Sequence, residues 1–170
     1  KTLGIIGAGH IGREVIRIAK AMDMKILVYT RTPKEDGDGI RYVDLETLLR
    51  NSDYVSLHCP LTPQTRHMIN KDTLAMMKPE AFLINTSRGA LIDEPALIEA
   101  LQNGVIAGAG LDVQEVEPPA EDNPLYTMSN VLLTPHMGWK GLETRKRLVS
   151  ILAGNIKAWE DKKPVNVVSA

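Results

Sequence analysis

Short apolar segments typical of strands alternate with amphipathic segments typical of helices along the whole chain. Residues 11–22, for example, carry apolar side chains at helical spacing and lie between two short apolar runs, residues 2–6 and 25–29. Such alternation predicts an α/β fold, a doubly wound parallel sheet covered by helices on both faces. The predicted strands are 2–6, 25–29, 54–58, 81–85, 105–113 and 131–134, and the predicted helices are 11–22, 45–50, 71–77, 94–103 and 141–159.

The composition is that of a single globular domain with an aliphatic core. The chain has 170 residues, of which 44% are hydrophobic and 4% aromatic, and it carries a net charge of −1. A balanced charge gives no electrostatic reason to expect nucleic acid or an anionic membrane as a partner. No apolar run reaches the length of about 18 residues that a membrane-spanning helix needs. We therefore expect one domain over residues 1–170 and neither of these partners.

Cysteine and histidine usage excludes two further kinds of site. Cys59 is the only cysteine, which excludes an intrachain disulfide and favours a reducing compartment such as the cytoplasm. The four histidines do not have the spacing of metal ligands, so we predict no metal site. Three of them, His10, His58 and His67, have no constellation of other catalytic residue types around them in the sequence.

A glycine-rich turn follows the first predicted strand and opens the first predicted helix, with the sequence Gly7-Ala8-Gly9-His10-Ile11-Gly12. In a dinucleotide-binding turn, Gly7 would permit the tight turn, Gly9 would let the backbone approach a pyrophosphate, and Gly12 would let helix and strand pack closely. The N–H groups at the helix start, near His10 and Ile11, would hold the phosphates. The turn therefore predicts dinucleotide binding, with a packing turn, a flavin site and a nucleotide-sugar site as alternatives.

The end of the second predicted strand indicates which nicotinamide cofactor is preferred. An NAD(H) site normally carries Asp or Glu at this position to bind the adenosine ribose, whereas this chain has Thr30-Arg31-Thr32. Without a carboxylate to repel a 2′-phosphate, Arg31 can pair with it and the two hydroxyls can assist. The sequence thus favours NADP(H) over NAD(H). Alternatively, Arg31 stacks on the adenine or points to solvent.

Three further segments match one known family in order and spacing. They are Asn85-Thr86-Ser87-Arg88-Gly89-Ala90-Leu91-Ile92-Asp93, then Gly110-Leu111-Asp112-Val113-Gln114-Glu115-Val116-Glu117-Pro118-Pro119, then Thr134-Pro135-His136-Met137-Gly138-Trp139. Together with the glycine-rich turn they closely resemble the D-isomer-specific 2-hydroxy acid dehydrogenases, which include phosphoglycerate, glycerate, D-lactate and formate dehydrogenases and hydroxypyruvate reductases. The resemblance covers essentially the whole chain. It implies a Rossmann fold and an oxidoreductase that interconverts 2-keto acids and D-2-hydroxy acids with a nicotinamide cofactor.

The resemblance implies that Arg88, Glu117 and His136 are the catalytic residues. Reduction of a keto acid needs a hydride for the carbonyl carbon and a proton for the developing alkoxide. A histidine suits the proton transfer because it exchanges its proton near neutral pH, and a carboxylate beside it favours the imidazolium. An arginine can bind the substrate carboxylate with both arms of its guanidinium and polarise the carbonyl.

Further cofactor-binding residues follow from the same resemblance. Thr86 and Ser87 would lie on the nicotinamide side, and Asp112 would bind the nicotinamide carboxamide. The Cys59-Pro60 segment would lie along the cofactor, without a reactive role for the thiol. Gly138, in the last of the matching segments, completes the set of predicted cofactor-binding residues.

Each predicted catalytic residue also has a purely structural interpretation. Arg88 could pair with Asp93 at a strand end. Glu117 lies in an acidic loop, where Glu115 and Glu121 are rivals for its role. A single histidine such as His136 is most often structural.

Trp139 bears on the substrate. Many members of the family have a small residue three positions after the catalytic histidine, and an aromatic residue there looks more like the glycerate dehydrogenase and hydroxypyruvate reductase branch. Hydroxypyruvate or glyoxylate is therefore the favoured substrate. Trp139 could instead be packing at a dimer interface, where tryptophan is enriched.

The resemblance also concerns what lies outside this stretch of chain. In the family a second domain, built from the N-terminal part and the C-terminal tail, covers the substrate. We see no such domain here, and expect residues 1–170 alone to bind cofactor but turn over little or no substrate.

A homodimer is expected. Three rival functions stay open: a co-repressor of the C-terminal-binding type that senses NAD(H), a phosphoglycerate dehydrogenase, and a phosphonate- or formate-oxidising member of the same family.

Overall fold

A computed structural model describes residues 1–32 and 34–168. The chain divides into two compact units, Lys1–Pro135 and His136–Ala170. The first unit contains a seven-stranded sheet with helices on both faces. The second contains one long helix.

The sheet has the strand order β3-β2-β1-β4-β5-β6-β7, and every pair of neighbouring strands is parallel. This is the doubly wound parallel sheet that the sequence predicts. Its strands are β1 (Thr2–Ile6), β2 (Lys25–Tyr29), β3 (Ile40–Tyr42), β4 (Tyr54–Leu57), β5 (Phe82–Asn85), β6 (Gly108–Leu111) and β7 (Val131–Leu133). The helices of this unit are α1 (His10–Ala21), α2 (Leu45–Asn51), α3 (Lys71–Ala75) and α4 (Glu94–Gln102).

The sheet buries apolar side chains on both faces. Leu3 and Ile5 of β1 pack with α1 in one core, whereas Ile6 points into a larger core that contains residues of α2, α3 and α4. This alternation reflects the period of two residues along a strand. Gly4 lies on the side of α2, where an added Cβ would come within 2.6 Å of Leu48 Cδ2. A glycine at this position therefore lets α2 approach the sheet.

Polar side chains fix where the helices begin. Asp44 accepts a hydrogen bond from the N–H of Thr47 and caps α2, and Asp93 accepts one from Ala96 and caps α4. Asn70 forms a reciprocal capping box at the start of α3. Each of these side chains satisfies an N–H that has no partner within its helix.

Two strands differ from the sequence prediction. β3 is not predicted, because its three residues follow a loop rich in aspartate and glycine and are too few to show a periodic pattern. β6 is shorter than the predicted 105–113, since Val105 and Ile106 lie in the turn that follows α4. The other strand and helix ends agree with the prediction within two residues.

The second unit contains α5 (Leu142–Glu160). Arg145, near the start of this helix, places its guanidinium carbon 6.0 Å from the centre of the Trp139 ring. In the part of the chain that the structure describes, no helix is both long enough and apolar enough to cross a membrane.

Candidate functional site

The carboxyl ends of the strands form one row along an edge of the sheet. Ile6 is in register with Tyr29 of β2 and with Leu57 of β4. Leu57 is in register with Asn85 of β5, and Asn85 with Leu111 of β6. The loops that follow these strands therefore emerge side by side. They carry most of the residues that the sequence predicts for a cofactor and a catalytic site.

The chain order reverses between β1 and β4, which makes this the topological switch point of the sheet. The chain runs outward from β1 to β2 and β3 and then returns to β4 on the opposite side of β1. Open α/β sheets bind their ligands in the crevice at such a point. A cavity of about 640 Å³ lies there, lined by Ile6, Gly7, Gly9, Tyr29, Thr30, Arg31, His58, Cys59, Pro60, Thr62, Gln64, Thr65 and Met68.

The glycine-rich turn forms one wall of this cavity. Gly7 has a positive φ of 96°, and an added Cβ would lie 2.8 Å from the backbone N of Cys59. At Gly12 an added Cβ would lie 2.3 Å from the carbonyl oxygen of Gly7. Both positions therefore exclude a side chain, as a tight strand-to-helix turn requires.

The start of α1 is open toward an anion. Gly9 is the N-cap residue, and among the described residues no side-chain cap hydrogen bond forms at this end of the helix. Apart from Gly9 and its two chain neighbours, no described residue has an atom within 4 Å of the point where a Cβ of Gly9 would be. Free N–H groups, the positive end of the helix dipole and open space beside a glycine together fit a pyrophosphate group.

Arg31 lies at the far end of the cavity, beyond β2. Its side chain is exposed, and the residue lines both the main cavity and a smaller adjoining one of about 310 Å³ that also includes Lys34. The hydroxyl of Thr30 donates to the carbonyl of Thr32, 2.8 Å away, which holds this turn. Arg31 and Lys34 thus border the position that an adenosine ribose would take. Asp44 also lines the smaller cavity, and its carboxylate caps α2.

The opposite wall of the cavity is the segment after β4. Burial raises the pKa of the Cys59 thiol, whose sulfur lies 3.7 Å from the sulfur of Met68. Burial lowers the pKa of His58, whose Nε2 lies 2.9 Å from the hydroxyl of Ser56. Cys59 is half-buried, and a thiol whose pKa is raised is a poor nucleophile at neutral pH.

A buried asparagine organises the turn that presents Arg88. The side chain of Asn85 accepts from the N–H of Ser87 at 3.0 Å and donates to the carbonyl of Arg88 at 2.9 Å. Ser87 in turn donates its hydroxyl to the carbonyl of Leu57, which ties this turn to β4. Arg88 itself is exposed and donates to the Ser87 carbonyl, while Asp93 caps α4. The sequence prediction did not include Asn85, although a polar residue that closes an apolar strand was a signal for it.

Asp112 closes β6 in a similar way. Its N–H donates to the carbonyl of Asn85, and its carboxylate accepts a hydrogen bond from the hydroxyl of Thr134 after β7. Asp112 is one of four buried polar or charged residues among those described. A buried carboxylate held by two neighbouring strands is a rigid hydrogen-bond acceptor at this edge.

Glu117 is connected to the turn of Arg88 through backbone packing. The carboxylate of Glu117 accepts from the N–H of Gln114 at 3.1 Å. Gly89 packs so closely on this segment that an added Cβ would lie 1.8 Å from the carbonyl oxygen of Gln114. The loops that carry Arg88 and Glu117 are therefore in direct backbone contact.

His67 corrects the sequence prediction, which found no constellation around it. Its Nε2 lies 2.6 Å from the carboxylate of Glu115, which also accepts from Arg66 at 3.3 Å. The partner was invisible in the sequence because it lies 48 residues further along the chain. The same contacts show that Glu115, predicted as a rival of Glu117, has structural partners of its own.

His136 opens the second unit and has a positive φ of 48°. Gly138 and Trp139 follow it in the turn before α5, where the N–H of Lys140 donates to the carbonyl of Met137. Among the described residues, no group of three or more His, Cys, Asp or Glu side chains is arranged to hold a metal ion.

The cavity brings together about half of the predicted cofactor residues of the first unit. Those that line it are Gly7, Gly9, Thr30, Arg31, Cys59 and Pro60. Those outside its lining are His10, Ile11, Gly12, Thr32, Thr86, Ser87 and Asp112. Lining residues that the prediction missed are Ile6, Tyr29, His58, Thr62, Gln64, Thr65 and Met68. Most of these lie in the 58–68 loop, which has no glycine-rich motif and reaches the cavity only through the tertiary fold.

Comparison with known proteins identifies the class of protein that this fold and site define. Residues 1–138 match the family described as D-isomer specific 2-hydroxyacid dehydrogenase, NAD binding domain. The chain belongs to this family.

Individual relatives agree with this assignment. The chain is 44% identical over 171 residues to a hydroxypyruvate reductase of Blautia hydrogenotrophica, covering 99% of this chain and 53% of the relative. It is 49% identical over 173 residues to a glyoxylate reductase of Thermococcus litoralis, covering 99% and 52%. The chain thus spans about half the length of these curated relatives.

A solved structure also matches. It is that of an acyclic imino acid reductase (Bsp5) in complex with NADPH and D-Arg, with a TM-score of 0.89 and 41% identity. The match covers 99% of this chain and 54% of that one.

Proposed function

We propose that residues 1–170 form the dinucleotide-binding domain of an NAD(P)H-dependent oxidoreductase that reduces a 2-keto acid to a D-2-hydroxy acid. The observation that carries this proposal is the single edge of the sheet described above. There the open start of α1, the cavity at the switch point, and the contacting turns of Arg88 and Glu117 lie in one row. A dinucleotide along this row would extend from Arg31 toward the turn that presents Arg88.

The residues of the cavity fit a nicotinamide dinucleotide. The start of α1 would hold the pyrophosphate, the Arg31 turn the adenosine ribose, and the turns after β5 and β6 the nicotinamide end. When bound, the reduced cofactor supplies a hydride. The walls formed by the glycine-rich turn and the 58–68 loop would exclude water from one side of the cofactor and hold it in place.

Three residues would act on the keto acid. Arg88, exposed and backed by the Asn85 hydrogen bonds, would bind the substrate carboxylate and polarise its carbonyl. His136 would donate the proton that the developing alkoxide needs. Glu117 completes the set of three catalytic residues that the resemblance implies. These roles follow the match of the chain to its family, which extends to residue 138.

Hydroxypyruvate and glyoxylate are the proposed substrates. The two relatives described above, each matched over 99% of this chain, are named for the reduction of these two acids. Trp139 also fits this branch of the family. Both acids are small, and each has a carboxylate beside the carbonyl that Arg88 would bind.

Steady-state assays on the protein in its full natural length test this function. We expect oxidation of NAD(P)H with hydroxypyruvate and glyoxylate, and slower turnover with bulkier keto acids. Arg88→Lys should raise KM for the keto acid, because a lysine cannot make the paired contacts of a guanidinium. The proposal fails if the protein binds NADH or NADPH but oxidises neither cofactor with hydroxypyruvate, glyoxylate or any of the bulkier keto acids.

We further propose a preference for NADP(H) over NAD(H). The support is the pair of cations, Arg31 and Lys34, beside the smaller cavity, and the absence of a carboxylate at the end of β2. The Bsp5 reductase is described with NADPH, whereas the matching family is described by NAD binding.

The remaining proposals concern the protein as a whole. We propose a homodimer, supported by the exposed apolar side chains of Phe82 and Leu132 on the sheet, and light scattering of the full-length protein tests it. A cytoplasmic location is proposed from the free Cys59 and is tested by cell fractionation. Residues 1–170 alone should bind cofactor and turn over little hydroxypyruvate, because the relatives are about twice as long.

A further inference from the structure

Glu115 is the meeting point of three loops at the candidate site. Its side chain is 18% exposed, and one carboxylate oxygen contacts both His67 Nε2 at 2.6 Å and Arg66 Nη2 at 3.3 Å. The other oxygen accepts from the N–H of Glu94, the first residue of α4, at 3.3 Å. The 58–68 loop, the start of α4 and the loop of Glu117 are thus joined by one side chain.

The partners of Glu115 are themselves fixed. His67 has a positive φ of 51°, its N–H donates to the carbonyl of Ala90, and its own carbonyl accepts from Asn70. Its imidazole therefore approaches Glu115 from a rigid backbone.

Glu94 holds the Glu117 loop at both of its ends. Its carboxylate accepts from the N–H of Glu115 at 3.0 Å and from the side chain of Asn123 at 2.8 Å. Glu117 lies between these two anchor points. Since Glu115 also accepts from the N–H of Glu94, the two glutamates hold each other reciprocally.

From this geometry we propose that Glu115, paired with His67, is a positioning residue that sets where Glu117 lies relative to Arg88. This inference rests on the proposed function, in which those two residues act on the keto acid. Glu115 itself is two residues away from Glu117 and does not line the cofactor cavity. Its effect reaches the site through the 114–117 backbone, which Gly89 contacts on its other side.

The charges around Glu115 explain why a carboxylate at this position holds the loop of Glu117 more firmly than an uncharged side chain would. Glu94 and Glu115 are both half-buried, and each carboxylate accepts a hydrogen bond from the backbone N–H of the other residue. Arg66 attracts the Glu115 carboxylate from the 58–68 loop, and the positive end of the α4 dipole attracts it from the helix start. Glutamine at position 115 keeps a hydrogen-bond acceptor but loses both attractions. The loop would then be held less firmly.

The test compares Glu115→Gln with Glu121→Gln in the full-length enzyme. Glu121 is exposed and lies on the same loop, and its replacement by glutamine removes the same negative charge. It therefore controls for the loss of one charge from this loop. We measure kcat and KM for hydroxypyruvate, the Kd of NADPH by fluorescence titration, and the pH profile of reduction. His67→Asn and the double variant complete a mutant cycle, and asparagine tolerates the positive φ at position 67 while being too short to bridge.

Glu115→Gln should lower kcat about tenfold, the size of effect typical when a supporting partner of an active group is removed. The Kd of NADPH should stay the same, because Glu115 does not line the cavity. The pH profile of reduction should differ from that of the wild type, because Glu117 is one of the proposed catalytic residues. Glu121→Gln should match the wild type. The double variant should be no worse than Glu115→Gln.

Hydrogen exchange gives a readout that does not depend on activity. Glu115→Ala removes the acceptor of the Glu94 amide and releases the loop in which the Gln114 amide donates to Glu117, so both amides should exchange faster than in Glu121→Ala. If the wild type reduces no keto acid, the proposed function fails while this measurement still decides whether Glu115 holds the loop. The inference is overturned if exchange is unchanged, if Glu115→Gln keeps the wild-type kcat and pH profile, or if Glu121→Gln is impaired to the same degree.

Discussion

At the scale of single residues, the proposed preference for NADP(H) depends chiefly on Arg31. Arg31 lines both cavities beyond β2, where an NAD(H) site would normally carry a carboxylate. Its guanidinium can make charge-assisted hydrogen bonds to a 2′-phosphate, which only NADP(H) carries. Discrimination between the two cofactors should therefore reside largely in this side chain.

Arg31→Ser should weaken NADPH binding without a matching loss for NADH. Loss of hydrogen bonds to a charged group costs about 1.5–3 kcal/mol, which corresponds to a rise of roughly ten- to hundredfold in the Kd of NADPH. Fluorescence titration with both cofactors measures this. Arg41→Ser, an exposed arginine on β3, is the matched control and should leave both Kd values unchanged. Equal losses for NADPH and NADH in Arg31→Ser would contradict the proposed preference.

The site residues that the sequence predicts well are those that belong to a short motif with a defined spacing. Gly7, Gly9 and Gly12 form a motif within six positions, and the structure shows the tight backbone contacts of two of them. Asn85 and His67 escaped prediction for the opposite reason. The role of Asn85 appears only once its turn is folded, and the partner of His67 lies 48 positions away.

At the scale of elements, the turn Gly89–Leu91 and the loop of Glu117 pack backbone against backbone. An added Cβ at Gly89 would lie 1.8 Å from the Gln114 carbonyl oxygen, and neither group is the flexible end of a side chain. A substitution here must displace one of the two loops.

Gly89→Ala should destabilise the protein by about 1–3 kcal/mol, the usual cost of overpacking, and should lower reductase activity more than it lowers cofactor affinity. Chemical denaturation and steady-state assays measure the two effects. Gly110→Ala serves as the control, because a Cβ at Gly110 on β6 would meet no atom of the described residues within 4 Å beyond its own chain neighbours. Unchanged stability and activity in Gly89→Ala would show that the two loops are not in the contact described.

The order of strands and helices was predictable because the short apolar runs of the strands differ clearly from the helical spacing of apolar residues between them. The residues at which the strands begin and end were harder to predict. β6 is built from Gly and Ala with a single Leu, and such small residues have no strong strand preference to mark where it begins. β3 is a strand because it pairs with β2, and a segment of three residues is too short to show a sequence pattern that predicts this pairing.

At the scale of the whole first unit, acid should lower stability in two stages. Burial lowers the pKa of His58 from its ordinary 6.5, and a hydrogen bond from the N–H of Thr2, with Lys78 nearby, lowers the pKa of Asp53 from 3.8. A depressed pKa means that the unfolded chain binds protons first. Each group therefore stabilises the fold above its ordinary pKa and loses this contribution as the pH falls through the folded-state value.

The free energy of unfolding, measured by denaturation across pH, should thus fall below 6.5 and again below 3.8. Asp53→Asn should be less stable than the wild type at neutral pH and should show a smaller second stage, because asparagine does not titrate. Part of the stage remains, since a hydrogen bond from the N–H of Thr47 also lowers the pKa of Asp44 from 3.8. Asp72→Asn, an exposed aspartate on α3, is the control. A second stage of unchanged size in Asp53→Asn would assign it to other carboxylates.

The most direct test of the proposed chemistry is chiral analysis of the product that the full-length protein makes from hydroxypyruvate and NADPH. We predict D-glycerate, formed in an amount equal to the NADPH oxidised, and a loss of about a hundredfold or more in kcat for His136→Asn, the lower range for loss of a general acid. Formation of L-glycerate would contradict the proposal. So would a protein that binds NADPH but does not oxidise it with any of the keto acids tested.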